Sequence, residues 1–435
     1  MSAASETAGG PSQQQQPRSR ASGMFRALSH RNYRLFWAGA ALSNTGTWMQ
    51  TVAQGWLVLE LTDSPFLLGV DNFMATAPGL VLTLLGGVFA DTVDRKKLLV
   101  YTQIGAGLSA LVLGTLIAAG LVQWWMILAL SFFTGSCLAL ASPSFQAITI
   151  DLVGREDLGN AIALNSTQFQ LSRVIGPTLA GVTIGVVGLA GCFFVNSISY
   201  VAVVAALMLV RFDDDGDGHT HARARPKKIK RYIWRELLEG FRYALGRPRV
   251  SLLLLISAWT SLFGGPYLSL MPLFARDVMG FGESGLALMM GTAGAGAFCG
   301  ALLLAFLGNF QREGLFVLGG AMLFGICLIG FALSTSLPLS LASLFGVGFS
   351  ITSSVALSNT LLQQLVTDEM RGRVLSMFVL SFLGTIPFGS FFAGAAAARF
   401  GAPRTLAAGG LAIVAFITVV FFKGKRLRQL EPQRR

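Results

Sequence analysis

Twelve apolar runs recur along the chain, at about 33–58, 67–90, 98–119, 124–150, 160–188, 190–210, 250–274, 285–308, 315–334, 338–362, 373–397 and 403–422. A helix crosses the hydrocarbon layer of a bilayer with roughly 20 apolar residues. Inside that layer every backbone N–H and C=O must find its partner within the segment, so unbroken apolar runs of this length have only the helix open to them. The chain is therefore read as an all-α membrane protein of twelve transmembrane helices, with the lipid bilayer as its first partner. Charged residues make up 12% of it, about half of the roughly 25% usual in soluble domains.

The placement of charge orients the helices. The net charge is +12, yet the loops on one side hold only Arg276, Arg399 and Arg404 of the 33 Lys and Arg, and a span holds Arg173. The remainder gather on the other side, which the positive-inside rule makes cytoplasmic, together with both termini. This explains the basic balance through orientation and anionic lipid, so no nucleic-acid partner is expected. Residues 1–24, with Gln13 to Gln16 and scattered Ser, Gly and Pro, form a disordered N-terminus and not a signal peptide. The segment Phe25 to Arg34 reads as a short interfacial anchor. A six-helix unit spans 25–210, a linker 211–249, a second six-helix unit 250–422 and a basic tail 423–435. In the linker an acidic run from Asp213 to Asp217 gives way to Arg and Lys, after which Trp234, Leu237, Leu238, Phe241 and Leu245 fall at helical spacing between charges. That pattern predicts an amphipathic surface helix. Cys137, Cys192, Cys299 and Cys327 lie inside spans without CxxC spacing and read as packing residues; His219 and His221 read as solvated, and no metal site is expected.

The turn after the second span carries the densest chemistry: Gly86-Gly87-Val-Phe-Ala-Asp91-Thr-Val-Asp94-Arg95-Lys96-Lys97. A carboxylate at Asp91 stands at the negative end of its own helix dipole and needs compensation, from Arg95 one turn on or from the N-terminus of another helix. Either arrangement makes the turn a latch, and Gly86 and Gly87 let a neighbouring helix approach closely. Gly87-x-x-x-Asp91-x-x-x-Arg95-Lys96-Lys97 resembles the signature loop of the major facilitator superfamily, with Asp94 where many members have glycine. This form is similar to the branch holding siderophore exporters and macrolide or multidrug efflux pumps. The resemblance implies two pseudo-symmetric six-helix bundles that alternate access, acting as a monomer, and a latch of Gly87, Asp91 and Arg95 closing on the start of the eleventh helix near Arg371.

The halves echo one another weakly. Asp151-Leu-Val-Gly-Arg155 after the fourth span is matched by Asp368-Glu369-Met-Arg371 after the tenth, and Gly176-Pro177 with Gly181 in the fifth by Pro387-Phe-Gly389 and Gly394 in the eleventh. Repeats of this kind point to a substrate site between the halves near the midplane. The Gly176, Pro177 and Gly181 segment is similar to the fifth-helix motif of drug antiporters in the same superfamily, with Ser172 and Ala180 replacing two glycines, and implies export. The fourth helix, Ser131-Phe-Phe-Thr134-Gly135, lacks the arginine that many drug–proton antiporters place there, a role that Arg173 is a candidate to fill.

Ionisable side chains within a span cost about 2.5–3.5 kcal/mol to insert and ask for a reason. Asp71, about a turn into the second helix, is a proton acceptor, an anchor for a cationic substrate, or a helix-start carboxylate among headgroups. Arg173, midway along the fifth, pairs with a carboxylate across the bundle or holds an anionic substrate. Neutral polar residues mark the candidate cavity: Asn44, Trp48 and Thr51 on one face of the first helix, Gln146 on the fourth, Asn165 and Gln168 on the fifth, Trp259 on the seventh and Asn359 on the tenth. Polar glue between helices is the other fate open to such residues. No GxxxxGK[ST] loop, HExxH or acid–base cluster points to an enzyme. The reading is a secondary transporter without a cofactor, driven by the proton gradient and exporting amphiphilic, drug-like small molecules from a bacterial cytoplasm across the inner membrane. A siderophore or metabolite exporter, and a non-transporting sensor, are the alternatives.

Overall fold

The computed structural model of the protein describes residues 25–83, 94–210, 233–307 and 313–423. Gly87 and Asp91 of the expected latch lie outside the described residues, as do the expected disordered N-terminus and basic tail and the acidic run of the linker. Twelve long helices follow one another: α1 (Arg31–Thr62), α2 (Pro65–Thr83), α3 (Arg95–Ala118), α4 (Trp124–Val153), α5 (Leu158–Val187), α6 (Leu189–Leu209), α7 (Pro248–Val278), α8 (Gly282–Leu307), α9 (Glu313–Leu333), α10 (Leu337–Leu365), α11 (Asp368–Phe400) and α12 (Ala402–Lys423). Eleven of them, α2 to α12, are long and apolar enough to cross a membrane. α1 is 32 residues long but carries Asn44, Thr47, Gln50, Thr51 and Gln54, which line the interior described below. Large apolar side chains such as Tyr101, Val186 and Phe306 stand exposed around the outside, where lipid and not water is their natural surrounding.

Local chemistry sets the helix ends. Pro65 opens α2 behind Ser64, whose side chain accepts from the Leu67 N–H, so the missing proline N–H falls where no helical partner exists. Asp94, the residue that departs from the glycine of the resembled motif, caps α3 by accepting from the N–H groups of Lys96 and Lys97 at 2.8 and 3.2 Å. Lys96 Nζ reaches the carbonyl of Val210, 2.8 Å away, and so compensates the negative end of α6. Arg95 bonds Asp151 at the end of α4, 3.0 Å.

Three of the spans read as continuous are interrupted, α2 briefly at Ala77 before Pro78 and two others more fully. α7 is helical over Pro248–Gly264, turns at Gly265 and Pro266, and resumes over Tyr267–Leu273 before a π-helical turn, Phe274–Val278. α11 breaks at Gly384 and Thr385 between Asp368–Leu383 and Ile386–Phe400. Pro266 and Pro387 each remove a backbone donor from these breaks, and discontinuous helices of this kind are where transporters place substrate.

The bundles meet along two seams, α2 against α11 and α5 against α8. A Cβ on Gly69 would stand 2.4 Å from the carbonyl oxygen of Ser390, and one on Gly294 2.5 Å from that of Arg173, so backbone packs on backbone at both. Phe66 and Phe73 interleave with Phe388 and Phe391, at centroid distances of 5.5–6.0 Å. Arg276 ties α7 to α1 at the same end through Asp63, which closes α1 in the left-handed conformation (φ +49°), and through the Leu59 carbonyl. This end is called the far end here, and the end bearing Arg95 the basic end. Buried Met49, Trp56, Leu68 and Phe193 at the far end of the first half belong to one core with the whole second half, whereas Tyr33, Phe36, Leu99, Ile148 and Leu164 near its basic end form a separate core. Among the described residues, the halves are thus fused at the far end and part towards the basic end.

The linker helix is present at Ile233–Leu245. It docks on the base of α11, where Glu239 bonds Arg373 at 2.8 Å. The segment read as an interfacial anchor also packs inward. Tyr33 and Ala27 are fully buried, Arg26 and His30 both grip Asp157, at 3.0 and 2.9 Å, and the Tyr33 hydroxyl bonds the Ala161 carbonyl and Asn165. Arg26, His30 and Tyr33 thus clamp the start of α1 to the start of α5, while Phe25, Arg31 and Arg34 stay exposed.

Candidate functional site

A cavity of about 410 Å³ lies between the halves, lined by α1, α2, α4, α5 and α6 of the first and by α7, α8 and α11 of the second. The second half contributes Leu268, Ser269 and Pro272 from beyond the break in α7, and Ile386 from that in α11. Its walls are mainly apolar, and among the described residues one carboxyl faces it: Asp71, 8% exposed.

Close helix packing puts Asp71 there. Asp71 and Ala75 are one turn apart on α2, as Ser131 and Gly135 are on α4. A Cβ on Gly135 would stand 2.1 Å from the Ala75 carbonyl oxygen, so the two helices touch and the next turn brings Ser131 Oγ to 2.5 Å from Asp71 Oδ1. Gln54 of α1 donates from Nε2 to both carboxyl oxygens (3.0 and 2.9 Å) and to Ser131 Oγ (2.8 Å). Its own Oε1 accepts from Gln50, whose Oε1 accepts from Asn196 of α6 at 2.6 Å. Among the described residues no Lys or Arg pairs with Asp71.

This arrangement satisfies both protonation states. With Asp71 ionised, the Ser131 hydroxyl donates to Oδ1. With Asp71 protonated, the carboxyl donates to Ser131 Oγ, and the serine hydroxyl turns to the Ile127 carbonyl, already 2.9 Å away. One proton is gained or lost without leaving a buried polar atom unpaired, which in an apolar interior is the condition for a change of state to be cheap.

A second chamber of about 440 Å³ lies nearer the basic end, wholly within the first half, and shares Asn44, Thr47, Leu138 and Phe169 with the first. Gln103, Gln146, Thr149, Asn165 and Gln168 line it.

The residues singled out in the sequence divide between these places. Asn44, Trp48 and Thr51 line the central cavity, and Gln146, Asn165 and Gln168 join Asn44 around the second chamber. Trp259 turns from the interior to α12, donating to the Ala412 carbonyl (3.1 Å) and stacking on Phe416 (4.9 Å). Asn359 accepts from Gln363 on its own helix and lines neither cavity. Arg173 reaches across to the second half and, among the described residues, meets no carboxylate: it donates to the Tyr267 hydroxyl at 2.8 Å and lies over the Trp48 ring at 5.4 Å. Gly176 admits α1, a Cβ there standing 2.4 Å from that of Trp48, and Gly181 faces Ala287 of α8; Pro177 lies inside an unbroken α5. Of the latch, Arg95 is held by Asp151, and Arg371 pairs with Asp368 on its own helix at 2.5 Å. Sequence reasoning passed over Ser131, Tyr267 and Gln103. A serine four residues before a glycine in an apolar helix was a legible signal for the first; nothing marked Gln103, on a helix with no other sign of lining a cavity.

A family model described as transmembrane secretion effector matches residues 22–434. The chain is 26% identical over 401 residues, covering 90% of it and 96% of the relative, to a staphyloferrin A transporter of Staphylococcus aureus. It is 24% identical to macrolide efflux protein A of Streptococcus pyogenes, covering 88% and 93%. Among solved structures it is similar to a D-xylose–proton symporter, with a TM-score of 0.71 at 15% identity over 93% of this chain and 99% of that one.

Proposed function

Because the chain belongs to the transmembrane secretion effector family of the major facilitator superfamily, we propose that it exports amphiphilic, preferably cationic, small molecules in exchange for protons by alternating access. The observation that carries this reading is the Asp71 carboxyl, facing an apolar cavity between the halves and held only by neutral partners that accommodate either protonation state. An ionised Asp71 attracts a cation into a site where the described residues offer no other counter-charge; a protonated one releases it. Proton and cation compete for one carboxyl, which is the elementary requirement of an antiporter. The basic end faces the cytoplasm by the positive-inside rule, in the inner membrane of a bacterium, with both termini on that side. The described conformation, sealed at the far end, then receives substrate from within. Each chain holds a complete cavity, in keeping with action as a monomer, and the proton gradient takes the place of a cofactor. At the basic end, Gly87, Asp91 and Arg95 closing against the α11 base near Arg371 would make the opposite seal.

Arg173 favours a second reading. A half-buried guanidinium between the halves with a hydroxyl and an aromatic face for partners is free to take a carboxylate, and the staphyloferrin A transporter is among the relatives. The test is reconstitution in liposomes with an imposed pH gradient, following internal pH as tetraphenylphosphonium or a carboxylate siderophore is added. Proton movement dependent on the lipophilic cation and lost in Asp71→Asn is the expected result. Proton movement that survives Asp71→Asn overturns the role of Asp71; coupling to the siderophore alone, lost in Arg173→Gln, would favour the second reading.

A further inference from the structure

The second chamber carries chemistry that the proton and cation site does not use. Gln103 lies on the buried face of α3, 3% exposed, and its amide oxygen has no hydrogen-bond partner among the described residues. The neighbouring amides are different: Asn44 donates to Gln168, Gln168 to Ser172, and Asn165 accepts from Tyr33 and donates to Thr149. An amide kept for packing would be paired as these are, because an unpaired buried acceptor is a net loss to the fold. Gln146 stands exposed on the chamber wall with a free choice of donor or acceptor.

Among the described residues no charged side chain lines the chamber, so an ionic group entering it would shed water without a counter-ion. Amides paired with the flat faces of Phe36, Phe145 and Phe169 suit a different guest: an uncharged ring that carries hydroxyls on its edge and C–H groups on its faces. We propose that this chamber is a binding subsite for a neutral, polyhydroxylated ring of the substrate, its hydroxyls bonding the Gln103 amide, which turns to meet them, and Gln146, while the cationic or apolar remainder passes Asn44 and Phe169 into the central cavity. The proposal rests on the export of amphiphilic cations and names the part of such a substrate that decides selectivity.

The test compares two cations with the full chain in nanodiscs by calorimetry: erythromycin, an amine that carries hydroxylated sugar rings, and tetraphenylphosphonium, which has no hydrogen-bonding group. Gln103→Leu and Gln146→Ala each weaken erythromycin about three- to tenfold, the loss of one neutral hydrogen bond, and leave tetraphenylphosphonium within twofold. Gln146, being exposed, supplies the variant that does not disturb the fold. Unchanged erythromycin binding in both variants, an equal loss for the two ligands, or wild-type binding of tetraphenylphosphonium without erythromycin would each overturn the subsite and leave the central cavity standing. Wild-type protein that binds neither cation would overturn the export reading itself, and the subsite with it.

Discussion

The carbonyl oxygen of Ala75 lies 2.1 Å from the point where a Cβ on Gly135 would stand. That contact holds α2 against α4 and, one turn away, sets Ser131 on Asp71. We predict that Gly135→Ala, by forcing the helices apart, destabilises the protein by about 1–3 kcal/mol and reduces proton-coupled transport at least tenfold. Thermal unfolding and liposome flux measured on one preparation check it; wild-type flux would break the link between this packing and the site.

Ser131 Oγ lies within hydrogen-bond reach of both Asp71 Oδ1 and the Ile127 carbonyl, so it can donate to an ionised carboxyl or accept from a protonated one. Ser131→Ala should therefore lower proton-coupled flux about tenfold with insertion unchanged, and Ser131→Thr, which keeps the hydroxyl, should restore most of it. Equal activity in the alanine and threonine variants would remove Ser131 from the coupling mechanism.

Gly69 seals the far end by bringing its backbone onto Ser390 and Gly394. Gly69→Val cannot make this approach, so the variant is expected to rest open at the far end. Spin labels at Glu60 and Phe281, on the far ends of the two halves, should report a longer mean distance than in the unsubstituted background, together with a loss of proton-coupled transport. An unchanged distance would refute this account of closure.

The Asp63–Arg276 pair bridges α1 and α7 at the same end, and the Asp63 side chain is largely exposed. An exposed pair contributes about 0–1 kcal/mol, so Asp63→Asn should shift the balance of far-end closed and open states by at most about fivefold. The same spin labels would reveal a modest shift rather than the full opening expected of Gly69→Val; a larger effect in Asp63→Asn than in Gly69→Val would reverse the assigned order of importance.

Much of the architecture was legible because a bilayer leaves few options. Runs of apolar residues long enough to cross it become helices, and Arg and Lys choose one side, so span number and the division into halves can be read from composition along the chain. The site was legible only in part. Asp71, Asn44, Trp48 and Gln168 stand out because polar residues within apolar runs are few. Trp259 shows the limit, since an indole in a span can face a cavity or a neighbouring helix, and a carbonyl on α12 decided the matter. Arg26 and Tyr33 show it again: basic and aromatic residues at a span end suit a headgroup layer, and only the fold reveals their inward partners, Asp157 for the one and Ala161 and Asn165 for the other.

The sequence by itself determined the helices, their count and the scarcity of buried charge, because hydrophobic length and backbone hydrogen bonding are local properties. Only the tertiary structure decided which polar side chains meet. Contacts such as Asp71 with Ser131, Arg173 with Tyr267 and Arg95 with Asp151 join residues 56 to 94 positions apart, and they depend on which glycine faces which carbonyl across a helix seam, a matter of rotation and depth that one-dimensional periodicity does not carry.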